Sequence, residues 1–222
     1  DAKYSAEKER SVGLGVMGFH SYLQQHSIPL ESVMSKVWNK KIFKHIQEHV
    51  DQASKDLADE RGPCPDAADY GFNERFSNKT AIAPTASISI ICGGASPGVE
   101  PVAANSYTHK TLSGSFNVRN RYLVELLEKY GKNTDDVWSG ITTNQGSVSH
   151  LDFLTDLEKD VFKTAFELDQ KWIIELSGDR TPFISQAQSI NLFVPADIHK
   201  RELHKIHFDA WKKGLKSLYY CR

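Results

Sequence analysis

Thr80-Ala-Ile-Ala-Pro-Thr-Ala-Ser-Ile-Ser-Ile-Ile91 is the stretch on which the reading of the fold turns. Thr80 to Ala83 and Ser87 to Ile91 are rich in β-branched residues and alternate, which predicts two extended segments separated by Pro84. Gly93, Gly94, Pro97 and Gly98 punctuate the chain just beyond. Outward from this stretch the pattern changes to helical spacing on both sides. Upstream, Val12, Val16, Phe19 and Leu23 predict a short amphipathic helix. Val33, Val37, Ile42, Ile46, Val50, Ala53 and Leu57 trace a stripe along a long one, stopped by Gly62-Pro63. Downstream, residues 106–119 around Ser113-Gly114 predict a hairpin or extended arm, and Tyr122, Leu123, Leu126 and Leu127 a helix ending at Gly131. Thr155-x-x-Glu158 is a capping box, opening a helix lined by Leu157, Val161, Ala165, Leu168, Trp172 and Leu176 and stopped by Gly178. Gln188 to Val194 reads as a strand, Leu203, Ile206 and Ala210 as a last helix, and Leu215 to Cys221 as a final extended segment. Helices and strands mix without regular βαβ alternation or internal repeat, so the expectation is an α/β fold in one unit over 1–222.

Composition narrows the function. The chain has 222 residues with 27 Lys+Arg against 28 Asp+Glu, a net charge of −1 that argues against a general nucleic-acid or membrane-surface binder. No apolar run approaches the roughly 20 residues a membrane span requires. Three scattered cysteines, Cys64, Cys92 and Cys221, form neither a disulfide framework nor a Cys-x-x-Cys pair, which points to a reducing cytoplasm. The chain starts at Asp1 without a Met and stops abruptly at Tyr219-Tyr220-Cys221-Arg222, so a piece of something larger is expected.

Four motifs carry possible chemistry. Gly13-Leu-Gly15-Val-Met-Gly18 fits the dinucleotide fingerprint, but no buried strand precedes it, and close helix packing is the better account. His45-Ile-Gln-Glu48-His49 fits the pattern of inverted zinc peptidases, but a solvated polar helix face is the better account. Pro84-Thr-Ala-Ser-Ile-Ser89 offers hydroxyls and backbone N–H groups that could cradle a phosphate without net positive charge, and the glycines after it permit close approach. On chemistry alone, that cradle and an ordinary Ser/Thr-rich strand stay equally open. Tyr219-Tyr220 could pass an oxidising equivalent, since a phenol can lose an electron and a proton together; a pair in a core strand is the plainer reading.

Together with other strings in order, these motifs resemble the C-terminal part of the large (α, catalytic) subunit of class I ribonucleotide reductase, of the bacterial and bacteriophage type. The landmarks are Arg10-Ser-Val-Gly-Leu-Gly-Val-Met-Gly-Phe-His20, Ala83-Pro-Thr-Ala-Ser-Ile-Ser89, Gly98-Val-Glu-Pro101 and Thr108-His-Lys-Thr-Leu-Ser-Gly-Ser-Phe116. They continue with Asp179-Arg-Thr-Pro-Phe-Ile-Ser-Gln-Ala-Gln-Ser-Ile-Asn-Leu-Phe193 and end with Lys216-Ser-Leu-Tyr-Tyr220.

The resemblance implies the C-terminal portion of a ten-stranded α/β barrel. It implies that Thr85, Ala86, Ser87, Ile88 and Ser89 form the substrate-phosphate loop. Tyr220 would receive the radical from the small subunit and Tyr219 would hand it on. Contact between neighbouring rings predicts a local departure from β geometry there, and the glycine fingerprint would be helical. The activity implied is reduction of ribonucleoside diphosphates by a thiyl radical. The family's Asn-x-Cys-x-Glu string and redox thiol pair do not occur in this sequence, so the chain alone is expected to be inactive. Implied partners are the N-terminal part of the large subunit and the small (β) subunit with its diferric-tyrosyl radical. A nucleoside diphosphate and thioredoxin or glutaredoxin complete the set. ATP and dNTP effectors would bind outside this chain, which itself would hold no cofactor or metal and contact neither nucleic acid nor membrane. The setting would be cytoplasmic, the host cytoplasm if phage-encoded, with a naturally split subunit one explanation of the short chain. The rival reading is a non-catalytic phosphate-binding or assembly module that retains the fold.

Overall fold

The structure, a computed structural model, describes residues 1–111 and 114–222, with the side chains of 109–111 outside that description. In chain order the helices begin with α1 (Ala2–Glu9), α2 (Phe19–Gln25), α3 (Val33–Arg61), α4 (Pro65–Asp69) and the single turn α5 (Ile88–Ile91). An antiparallel hairpin follows, β1 (Ser106–Thr111) and β2 (Gly114–Arg119), with Ser106 opposite Arg119. The turn expected around Ser113-Gly114 lies partly outside the described residues. Then come α6 (Arg121–Lys129), α7 (Asp135–Thr143), α8 (Asp156–Val161), α9 (Gln170–Arg180) and α10 (Lys200–Lys212).

What organises these helices is a set of four extended segments lying side by side, residues 12–14, 79–82, 186–194 and 219–222. Parallel bridges join Leu14 to Thr80, Ile82 to Gln188, and Leu192 to Cys221. Main-chain bonds extend each contact, including Val12 N–H to Asn78 O at 2.9 Å, Gln186 N–H to Thr80 O at 3.0 Å and Ser189 N–H to Ile82 O at 2.9 Å. The pairing is parallel throughout, so consecutive segments need helical crossovers. α3 supplies one and α9 another, packed together through Asn39 Nδ2 to Leu176 O at 2.8 Å. Phe19, Leu23, Phe43, Ile82, Ile173, Leu176 and Ile190 form the core between segments and helices. A second cluster, including Leu123, Leu127, Trp138, Ile141 and Leu154, sits beneath α6 and α7.

Several expectations are corrected. Residues 10–18 are not helical, and the glycine fingerprint is part of an extended segment; the helix begins only at Phe19. A Cβ on Gly15 would stand 2.6 Å from the carbonyl oxygen of Ala81, so glycine there allows two backbones to touch. Ser87 to Ile91 is no strand: it coils into α5, with Ser89 N–H bonded to Thr85 O at 2.9 Å. In α3 Val33, Val37 and Ala53 of the expected stripe are exposed and Ile42, Ile46, Val50 and Leu57 half-buried, while Ser35, Asn39, Phe43, Ser54 and Ala58 face fully inward. The helix expected from 155 to 178 is two helices with a break at 162–169, and Gly178 lies inside α9, where it makes room for Lys213. The capping box itself forms, with both reciprocal bonds present at Thr155 and Glu158. α7 had no sequence expectation.

Candidate functional site

Chain direction places the loop 85–89 at the carboxyl end of the parallel segments. Residues 79–82 run into Pro84 and the loop 85–89, and ligand sites of parallel sheets collect at such carboxyl ends, where loops leave the sheet. Thr85 takes a left-handed conformation (φ 49°). Its hydroxyl accepts the Gly98 N–H at 2.7 Å, so the loop is clipped to the segment that follows α5. A Cβ at Gly98 would lie 2.9 Å from Ala83 O, which only glycine avoids. Ala86, Ser87 and Ile88 are exposed, and among the described residues no acceptor takes their N–H groups. Ser89 differs: it is buried, and its hydroxyl donates to Ala86 O at 3.1 Å. The loop therefore presents three free amides and the Ser87 hydroxyl, while Ser89 braces it from inside. A cavity of about 400 Å³ lies behind, lined by Ala86, Ser89 and Gly94 and by Arg119, Arg121 and Tyr122.

Tyr219 and Tyr220 sit on the fourth extended segment, both about half exposed. Their ring centroids are 4.1 Å apart with planes tilted by 51°. Successive side chains of a regular strand point to opposite faces, so this contact needs a local irregularity, and the hydrogen bonds show it. Tyr219 N–H donates to Ile190 O at 2.8 Å, and the next bond of that kind is Arg222 N–H to Leu192 O at 2.8 Å. A regular parallel pairing would use Cys221 for the second bond; one extra residue is accommodated, as in a bulge. The spare Tyr220 N–H donates to the side-chain Oδ1 of Asn191 at 3.1 Å. The Tyr219 phenol is held above its usual pKa, first by a hydrogen bond with the Tyr220 hydroxyl and then by that neighbour's charge.

Glu100 connects these two places. It is 8% exposed, and burial, the largest influence, raises its pKa; Asn191 and the charge of Arg222 draw it back. Neither Glu100 nor Asn191 was singled out by sequence reasoning. Both lay inside landmark strings, and only the three-dimensional register shows what they touch.

The remaining candidates do not gather into a site. His45 and His49 stack at 4.0 Å, but Nδ1 of His49 is engaged with the His45 carbonyl at 2.8 Å. No group of three or more His, Cys, Asp or Glu placed to hold a metal ion occurs among the described residues. Cys64 is buried, and Cys92 and Cys221 are exposed; all three are free thiols far apart in sequence.

Comparison with known proteins agrees with this geometry. The chain matches the family described as ribonucleotide reductase, barrel domain, over residues 1–74 and 66–221. It is 50% identical over 98% of its length to the ribonucleoside-diphosphate reductase large subunit of Invertebrate iridescent virus 6, covering 23% of that protein. With the large subunit of Invertebrate iridescent virus 3 the identity is 46%, over all of this chain and 35% of the relative. Among solved structures it superposes on the Actinobacillus ureae class Id ribonucleotide reductase alpha subunit with a TM-score of 0.90 and 39% identity, covering 99% of this chain and 40% of that one. The chain thus spans well under half the length of these relatives. Parallel segments bridged one after another, a loop of free amides at their carboxyl ends and the matched sequence along the whole chain place it in the ribonucleotide reductase large-subunit family, as part of the barrel domain.

Proposed function

We propose that this chain contributes the substrate-phosphate loop and the terminal tyrosine relay of a ribonucleoside-diphosphate reductase. The observation that carries the reading is the ring contact of Tyr219 and Tyr220 at 4.1 Å on a bulged segment. Two adjacent phenols held face to tilted face can exchange an electron and a proton in one short step. Tyr220 would lose both to the oxidant of the small subunit and recover them from Tyr219. Tyr219 would in turn draw them from the cysteine that starts the chemistry, a residue supplied by the N-terminal part of the large subunit. The resulting thiyl radical takes the ribose 3′-hydrogen, and a dithiol reduces the sugar as the 2′-oxygen leaves as water. The oxidised dithiol is restored by thioredoxin or glutaredoxin.

The loop 85–89 would hold the diphosphate. Amides of Ala86, Ser87 and Ile88 and the Ser87 hydroxyl supply neutral donors, which suits a chain of net charge −1. On this reading the chain needs the N-terminal part and the small subunit for turnover, in a cytoplasmic setting.

Assay of diphosphate reduction after mixing this chain with the N-terminal large-subunit part and the small subunit tests the proposal. Tyr219→Phe and Tyr220→Phe keep the ring and remove the O–H; each is expected to abolish turnover, and activity surviving either substitution overturns the relay. Ser87→Ala is expected to raise the KM for diphosphate by about tenfold, the worth of one hydrogen bond to a charged group. An unchanged KM would remove the loop from the substrate site.

A further inference from the structure

We infer that Asn191, set beside Glu100, positions the tyrosine pair: it holds the extra residue of the bulge in place and so keeps both rings on one side. This rests on the relay reading above and extends it to Asn191 and Glu100. The first ground is the bond pattern. Among the described residues the Tyr220 N–H has no main-chain partner, and it is taken by Asn191 Oδ1. Were that acceptor lost, the segment could satisfy the amide by slipping into regular register, and one ring would then turn to the opposite face.

The second ground is that the Asn191 amide has one sensible orientation. A side-chain amide carries an acceptor oxygen and a donor nitrogen. The Tyr220 N–H can only donate, which fixes Oδ1 toward it. Glu100 faces Asn191 through side chain and backbone alike, and its Oε1 is buried with no hydrogen-bond partner among the described residues. Asn191 is 1% exposed, so water does not compete for either contact.

Glu100 is itself anchored from the loop side. Its N–H donates to Pro97 O at 3.0 Å, and two residues earlier Gly98 N–H is held by the Thr85 hydroxyl at 2.7 Å. A continuous path of contacts therefore runs from Thr85 through 98–100 to Asn191 and the Tyr220 amide. The string Gly98-Val-Glu-Pro101 thereby gains a structural role, because it carries the buried carboxylate that faces Asn191.

The test uses the assembled large and small subunits for turnover and amide hydrogen exchange at Tyr220 for geometry. Asn191→Leu, similar in size but without the acceptor, is expected to lower kcat by at least about tenfold while the KM for diphosphate stays nearly constant. Exchange of the Tyr220 amide should accelerate in parallel. Asn191→Asp keeps the acceptor but sets a second carboxylate against Glu100, and is expected to be impaired. Adding Glu100→Gln restores a donor–acceptor pair and should recover most of both readouts. This pair of variants decides the matter if Asn191→Leu does not fold. Full turnover with a protected Tyr220 amide in Asn191→Leu would overturn the inference, as would a double variant no better than Asn191→Asp alone. Activity surviving Tyr219→Phe or Tyr220→Phe would instead sink the relay, leaving amide exchange to judge the positioning.

Discussion

Arg180 occupies a position that a core would ordinarily give to a hydrocarbon. It is 1% exposed, and its guanidinium donates to three neutral oxygens: Gln188 Oε1 at 2.7 Å, Asn39 Oδ1 at 3.0 Å and Ser177 Oγ at 3.1 Å. The rings of Phe19 and Phe43 flank it, each 5.6 Å from the guanidinium carbon. Burial lowers its pKa to about 9, so even here the charged form persists at neutral pH. Arg180→Met would keep the volume and strand three buried polar groups from α3, α9 and the third extended segment. The expected loss is about 3 kcal/mol or more, read as a lower denaturant midpoint. Gly15 is the opposite case, a position where the smallest addition is too much. Gly15→Ala would push a methyl group into the Ala81 carbonyl and is expected to cost about 1–3 kcal/mol, because backbone cannot step aside as a side chain can.

At the scale of elements, local signals were legible and tertiary ones were not. Thr155 and Glu158 form their capping box because both partners lie within one turn. Thr155→Ala should therefore destabilise the protein by about 1 kcal/mol, measurable in thermal unfolding. Residues 162–169 kept a helical period in Ala165 and Leu168 yet break the helix, since their backbone is claimed from elsewhere. Ala165 N–H donates to Val102 O at 2.8 Å, and the Phe162 carbonyl accepts Asn105 Nδ2 at 2.7 Å. Ser87 to Ile91 alternated like a strand, but Ile88 and Ile91 have no sheet to face, and the turn closes on Ser89 instead. The tyrosine pair was legible as a motif; its ring contact was implied by the family resemblance, and the irregularity that allows it followed from the steric rule for strands. Asn191 was not, because nothing nearby in sequence signals an acceptor for a residue 29 positions away.

At the scale of the whole molecule, two properties can be measured directly. The expectation of one unit over 1–222 means that the core around Phe19 and the cluster around Trp138 should unfold in a single transition, tying fluorescence to circular dichroism. Two separated transitions would divide the chain. The second property is acid sensitivity. His20 is fully buried, its Nδ1 accepts the Val102 N–H at 3.0 Å, and burial lowers its pKa from 6.5 to about 4. The unfolded chain takes up a proton near 6.5 and the folded one only near 4, so this contribution is complete above that window and is lost as pH falls through it. His20→Gln should flatten the fall in melting temperature between those two values, and an unaltered slope would assign the acid loss to carboxylates.

The parallel segments also have edges. Residues 12–14 and 219–222 each pair on one side, and among the described residues the N–H groups of Gly13 and Cys221 find no acceptor on the other. Leu14, on the first of these edges, is half exposed. Unpaired strand edges recruit other strands. Produced by itself, the chain should self-associate as its concentration rises, seen as growing mass in light scattering. If the proposed N-terminal large-subunit part pairs with these edges, co-expression with it is expected to suppress that growth in mass, so the open rims become a direct readout of assembly.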